Sequence, residues 1–188
     1  QNFCFPHRLT AKNIIFATMS HNNDKRLFLI DAYAMIFRGY YALIRSPRIT
    51  SDGKDTSAIF GFTNSLIELI RREKPTHLAV VFDVGQASVR TADFADYKAN
   101  RSETPEAIKI AIPYIHRILE AMHVPILGVE GYEADDVIGT IACKAEKQGY
   151  TTFMVTPDKD FAQLVTDKIK IYKPGLKGAE FEILGVEE

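Results

Sequence analysis

Apolar residues along this chain follow two rhythms that alternate. Short apolar runs recur at 27–30 and 78–82, and strand-like runs broken by Pro, Gly, Thr or Lys at 124–129, 151–155 and 168–172. Runs of four to six such residues are the pattern of strands buried on both faces, as in a parallel sheet. Between them, apolar residues return at i, i+3 and i+4. Tyr33, Ile36, Phe37, Tyr40 and Tyr41 do so over 32–44, and Ile59, Phe60, Phe62, Leu66, Ile67, Leu69 and Ile70 over 56–73. Ile108, Ile112, Ile115, Ile118 and Leu119 mark a helix from about Pro105 to Met122, and a fourth covers 134–148. A short last one carries Phe161, Leu164 and Val165. Arg71, Arg72 and Lys74 suit the negative end of the second helix, and Pro75 stops it. Pro105 belongs in a first turn, and Gly149 ends the fourth helix. The order β-α-α-β-loop-α-β-α-β-α-β predicts an α/β fold: three layers, α/β/α, around a mostly parallel central sheet. Right-handed crossovers then gather the carboxyl ends of the strands on one edge, where such sheets bind ligands.

A length of 188 residues sets one domain as the default and allows a sizeable core. No apolar run approaches the ~20 residues of a membrane span, so no membrane role is expected. Residues 1–25 read as a poorly ordered lead-in, and 26–188 as the domain. Cys4 and Cys143 lie far apart with no CxxC partner. That argues against a disulfide framework or a zinc site and fits a reducing cytoplasm. Cys143, inside a helical pattern, is expected as a small core residue.

Charge changes the picture more. Asp31 and Asp83 each end an apolar run, Gly131-Tyr132-Glu133-Ala134-Asp135-Asp136 follows a third, and Thr156-Pro157-Asp158-Lys159-Asp160 a fourth. Singly, such acids are ordinary helix caps. Collected on one sheet edge they repel, and a bound cation relieves the repulsion. From Glu133, Asp136 is ~60° round a helix and Asp135 ~160°, so the three converge only if Glu133 precedes the helix. An all-carboxylate set selects hard cations, Mg²⁺ or Mn²⁺. Two such ions ~4 Å apart are the apparatus of phosphodiester hydrolysis. There is no EF-hand spacing, no Walker A motif and no GxGxxG. Net charge is −1, from 23 basic and 24 acidic residues. Without the seven acids above, 24 − 7 leaves 17 against 23, a mildly basic surround. The long polar segment 84–104 carries Arg90, Tyr97, Lys98 and Arg101. It reads either as a solvated loop or as a grip on a nucleic-acid strand, with cations on phosphates and an aromatic face for a base. Arg38, Arg45 and Arg48 add basic groups on the same side.

Together, Phe28-Leu29-Ile30-Asp31, Val81-Phe82-Asp83, Tyr97-Lys98-Ala99-Asn100-Arg101, Gly131 to Asp136 and Asp158-Lys159-Asp160 resemble the 5′-nuclease domain of bacterial DNA polymerase I. That domain belongs to the flap endonuclease superfamily, with a PIN-like core, and the resemblance spans about 26–188. It implies a divalent-metal-dependent, structure-specific 5′→3′ exonuclease and flap endonuclease acting in replication and repair. Its substrates would be DNA with a 5′ flap or single-stranded 5′ end and RNA primer–DNA hybrids. A polymerase domain would follow in the same polypeptide, in the nucleoid of a bacterial cytoplasm. By motif match, Asp31, Asp83, Glu133 and Asp135 would serve a first metal; Asp136, Asp158 and Asp160 would complete it and build a second. Segment 84–104 would be the helical arch, with Lys98 and Arg101 catalytic. Arg38, Arg90, Tyr97, Lys98 and Arg101 would contact nucleic acid. Two features depart from the pattern. Pro157 stands where glycine is common, and the family's later Gly-Asp-x-x-Asp-Asn ligands and helix-three-turn-helix do not occur before Glu188. A PIN-like ribonuclease, or an inactive DNA-binding fragment with an incomplete second metal site, are the competing readings.

Overall fold

The structure, a computed structural model, describes residues 24–84, 103–173 and 182–186. The lead-in and the basic segment with Arg90, Tyr97, Lys98 and Arg101 lie outside the described residues. Strand β1 is Arg26–Asp31, followed by α1, Ala32–Ala42, and α2, Ser57–Glu73. Then come β2, His77–Val81; α3, Glu106–Ala121; β3, Ile126–Leu127; and α4, Ala134–Glu146. Strand β4, Thr151–Val155, leads into a 3-10 helix, Lys159–Leu164, and β5, Ile169–Lys173, pairs with β6, Glu182–Leu184.

The sheet order is β3-β2-β1-β4-β5-β6. All pairings are parallel except β5 with β6. Alternation along the strands splits the core in two. Phe28, Ile30, Val80, Phe82, Phe153 and Val155 face α1, α2 and α3. Leu27, Leu29, Ala79, Val81 and Met154 face α4 and the 3-10 helix. This is the three-layer α/β/α arrangement that the alternation of runs and periodic segments predicts. From β1 the chain winds outward through β2 to β3, then returns to add β4 on the other flank. The topological switch point therefore lies between β1 and β4, where doubly wound sheets open a ligand crevice.

Two glycines let the first layer close up. A Cβ on Gly61 would sit 2.5 Å from the Gly39 Cα, and one on Gly39 would sit 2.9 Å from the Gly61 carbonyl carbon. Helices α1 and α2 thus cross backbone to backbone, which fixes the helix that begins beside Asp31.

Four expectations need correction. The patternless tail supplies β6, an antiparallel edge strand. The run 124–129 yields a two-residue strand, since Pro125 has no N–H for the ladder and Gly128 is pressed against Val84 and the Phe82 carbonyl. Cys143 is exposed, because it lies about 100° round the helix from Ala142 in the buried stripe Val137, Ile138, Ala142 and Ala145. Phe60 and Tyr41 are not core residues: they are 45% and 51% exposed. The Arg48 guanidinium lies 5.3 Å from the Phe60 ring centroid. Among the described residues no helix is long and apolar enough to cross a membrane.

Candidate functional site

Strand β1 is central, and its register sets the site. Asp31 pairs across from Val81, so Asp83 lies two residues past that level on β2; Ile30 pairs with Val155, so Asp158 lies three past it on β4. Three elements deliver carboxylates to one edge, at the switch point. Period-two alternation also puts Asp31 and Asp83 in phase with Leu29 and Val81, toward the α4 side of the sheet.

Several of the acids also cap helices. Asp31 is the N-cap of α1, its Oδ1 accepting from the Ala34 N–H at 3.0 Å, and its Oδ2 accepts from the Thr156 hydroxyl at 3.4 Å. Asp83 reaches across 51 positions of sequence to accept the Ala134 N–H, the first of α4, at 2.6 Å. Glu133 is the buried N-cap of α4 and forms a capping box with Asp136, whose Oδ2 accepts the Glu133 N–H at 3.3 Å. Glu133 has extended backbone and so precedes the helix, as convergence of the three acids requires. Asp135 Oδ1 accepts the Asp136 N–H at 2.8 Å. Asp158 caps the 3-10 helix through the Asp160 N–H at 2.9 Å, and Asp158 and Asp160 are both exposed. Among the described residues, no three His, Cys, Asp or Glu side chains stand close enough together to hold an ion as they are placed. The acids share an edge while helix N–H groups hold several of them apart.

The electrostatics register the crowding. The Asp31 carboxyl is raised from its ordinary 3.8 to about 6. Burial is the largest cause; the Asp83 and Asp158 charges push the same way, against the Ala34 N–H and the Thr156 hydroxyl. Tyr33 is raised too, by burial and then by Asp83. Thr156 was not predicted as a site residue. It is 1% exposed, donates to Asp31 and accepts the Asp158 N–H at 3.2 Å, so it ties the ends of β1 and β4 together. Its sole signal in the sequence is a polar residue closing an apolar run. Arg38, expected on nucleic acid, reaches α2: its guanidinium donates to Ser65 Oγ at 3.4 Å, and burial lowers its pKa while Glu68 opposes the shift.

The donor set is oxygen throughout: carboxylates and one buried hydroxyl, with no thiolate or imidazole among them. It fits a hard divalent cation; Asp31 is raised chiefly by burial, with the Asp83 and Asp158 charges adding to the shift. The family model described as "5′-3′ exonuclease, N-terminal resolvase-like domain" matches residues 26–188. The chain belongs to this family. DNA polymerase I of Mycobacterium tuberculosis (strain ATCC 25618 / H37Rv) is 41% identical over 148 residues, which is 79% of this chain and 16% of that protein. A 5′-3′ exonuclease of Aquifex aeolicus (strain VF5) is 39% identical over 150 residues, 80% of this chain and 51% of that one. The chain therefore spans about half or less of these curated relatives. A T5 flap endonuclease, solved as a pseudo-enzyme–product complex with DNA and metal ions, superposes with a TM-score of 0.56 at 19% identity, over 79% of this chain and 54% of that one. At that identity the likeness establishes the fold, the 5′-nuclease arrangement of a mostly parallel sheet between helical layers.

Proposed function

We propose that this chain is the catalytic core of a divalent-metal-dependent 5′→3′ exonuclease and flap endonuclease, carried by a longer polypeptide of the DNA polymerase I kind. The observation that carries the reading is the delivery of Asp31, Asp83 and Asp158 from three strand ends to one edge at the switch point, where burial, and after it the Asp83 and Asp158 charges, raise Asp31 to about 6. Asp31, Asp83, Glu133 and Asp135 would hold a first Mg²⁺ or Mn²⁺ ion, and Asp136, Asp158 and Asp160 would complete that site and build a second. When bound, such ions supply a hydroxide at neutral pH and neutralise charge on the departing oxygen. The chain's own residues orient that chemistry. Thr156 fixes the separation of Asp31 and Asp158, and the α4 N-terminus fixes Asp83. In this reading Lys98 and Arg101 meet the scissile phosphate, Tyr97 stacks a base, and Arg90 grips the backbone. The substrates are 5′-flap and single-stranded 5′ ends and RNA primer–DNA hybrids, in a bacterial cytoplasm.

The test is Mg²⁺- and Mn²⁺-dependent cleavage of a 5′-flap DNA, an RNA primer–DNA hybrid and a single-stranded RNA, each with an EDTA control. The expected result is cleavage of the first two, ended by EDTA and by Asp135→Asn. Cleavage of the single strand alone would favour a PIN-like ribonuclease. Tight binding with no cleavage, by the chain and by the longer polypeptide, would leave a binding module.

A further inference from the structure

The nucleic acid that this edge is proposed to bind is anionic, and the edge is built from acceptors. Backbone N–H groups of Ala34, Ala134, Asp136 and Asp160 already donate to the acids themselves. An arriving phosphate needs donors that are not engaged in this way. Lys159 offers one, but on the solvent-exposed 3-10 helix between Asp158 and Asp160.

Tyr33 differs in being fixed. It sits in the first turn of α1, two residues past Asp31. Helical side chains lean toward the N-terminus of their helix, so its phenol is directed back toward the carboxyl edge of the sheet. The ring is half-buried against the α1–α2–α3 core layer. It meets Phe82, the residue before Asp83, edge to face at 6.0 Å between centroids. Phe82 is backed in turn by the His116 ring at 4.3 Å. This three-ring stack fixes where the phenol stands. No hydrogen bond to a described residue takes up the Tyr33 hydroxyl, although the Asp83 charge is felt there. A polar group is thus held by ring packing, at a charged site, with its bonding capacity open among the described residues.

We infer that Tyr33 is a positioning residue for the nucleic-acid strand: its hydroxyl donates a hydrogen bond to a non-bridging phosphate oxygen beside the acid cluster. The assignment rests on the nuclease reading for its ligand. Phosphate is the chemistry that fits, because a rigid neutral donor adds no second cation to compete for the carboxylates, and a bond to an anionic oxygen is among the stronger ones.

The experiment compares the wild-type full chain with Y33F, which deletes the hydroxyl and keeps the ring on Phe82, and with Y33L, which removes both. Turnover of a 5′-flap DNA is measured in Mg²⁺. Binding of the same DNA is measured by anisotropy in Ca²⁺, with oligonucleotides carrying one methylphosphonate at each phosphate flanking the cut. Mn²⁺ affinity is measured by calorimetry without DNA. For Y33F we expect kcat/KM about tenfold lower, with thermal stability and Mn²⁺ affinity unchanged. Its binding deficit should vanish on one methylphosphonate, where the acceptor oxygen is gone. Y33L should add a loss of stability. Three results would overturn the assignment: wild-type turnover and binding by Y33F; a deficit equal on every methylphosphonate; or a Mn²⁺ affinity that falls with activity, which would put the hydroxyl on Asp83 instead. If the wild type binds the flap without cutting it, the nuclease reading fails, and the methylphosphonate comparison still decides on Tyr33.

Discussion

Replacing Asp31 with Asn should make the metal-free protein more stable at pH 8 while ending turnover. The carboxyl of Asp31 is raised from 3.8 to about 6, chiefly by burial and then by Asp83 and Asp158. An acid whose folded pKa is raised favours the protonated state in the fold. Its charge therefore costs stability above about pH 6, costs less between about 6 and 4, and costs nothing below 3.8, where folded and unfolded chains are both protonated. Each pKa unit is worth ~1.4 kcal/mol, which makes the full penalty ~3 kcal/mol. Asn caps a helix as well as Asp does, so the bond from the Ala34 N–H is kept. The amide has one carbonyl oxygen, so the bond from Thr156 is weakened, at a cost of ~1 kcal/mol. The net gain expected for D31N at pH 8 is ~2 kcal/mol. Urea unfolding of both proteins in EDTA, at pH 4, 5, 6 and 8, gives the difference directly, and groups common to both cancel. Adding saturating Mg²⁺ should reverse the order, because a ligand bound at a hundred times its Kd stabilises by ~2.7 kcal/mol, and D31N forfeits much of that. A D31N protein no more stable than wild type at pH 8, or a difference that does not shrink toward pH 4, would refute the account of Asp31 as a carboxylate whose charge is penalised by burial and by its acidic neighbours.

Three further outcomes follow from contacts away from the charges or beside them. Thr156→Val removes the hydroxyl that holds Asp31 down; it should move the Asp31 midpoint above about 6 in a carboxyl NMR titration and lower stability by ~1–2 kcal/mol. Gly61→Ala drives a methyl to 2.5 Å from the Gly39 Cα, where backbone cannot yield; a loss of ~1–3 kcal/mol or more in urea unfolding is expected, with turnover reduced because α1 carries the Asp31 cap. At the far end of α2, Glu73 accepts from Arg26 at 2.8 Å and from Tyr172 at 2.9 Å. Glu73→Ala should lower the urea midpoint more than Tyr172→Phe does, since it leaves the half-buried Arg26 without its carboxylate.

The strands and helices were legible because burial on both faces leaves a signature that residue type alone carries. Runs such as 27–30 and 78–82 could be little else, and five of the six strands lie on them. Strand β6 carried no such signature: it is a three-residue edge strand, exposed at Glu182 and Ile183, whose place is set by pairing with β5. Cys143 and Phe60 show the complementary limit. Periodicity says that a helix has a buried face, but the edge of that face shifts by a residue depending on what packs there. Among the acids, type and order pointed to the common edge, whereas Thr156 and Tyr33 did not stand out. A threonine closing a strand and a tyrosine in an apolar stripe look like packing residues until the register of β1 with its neighbours is known.

The helix-cap reading and the metal-site reading of the acids are not rivals here. A carboxylate at a strand end needs something to hold it against its neighbours when no cation is present, and a helix start supplies N–H groups and a favourable dipole. Asp31, Asp83, Glu133 and Asp158 each take such a bond. The caps give the charged edge hydrogen-bond partners, and among the described residues no three of the acids close on a common point. Each capping carboxylate retains further lone pairs. In the proposed reading, a divalent ion would use those remaining lone pairs and leave the helices their caps. On this view the strongly raised Asp31 is the part of the edge that the caps leave uncompensated. It is also the residue whose charge an ion would stabilise most.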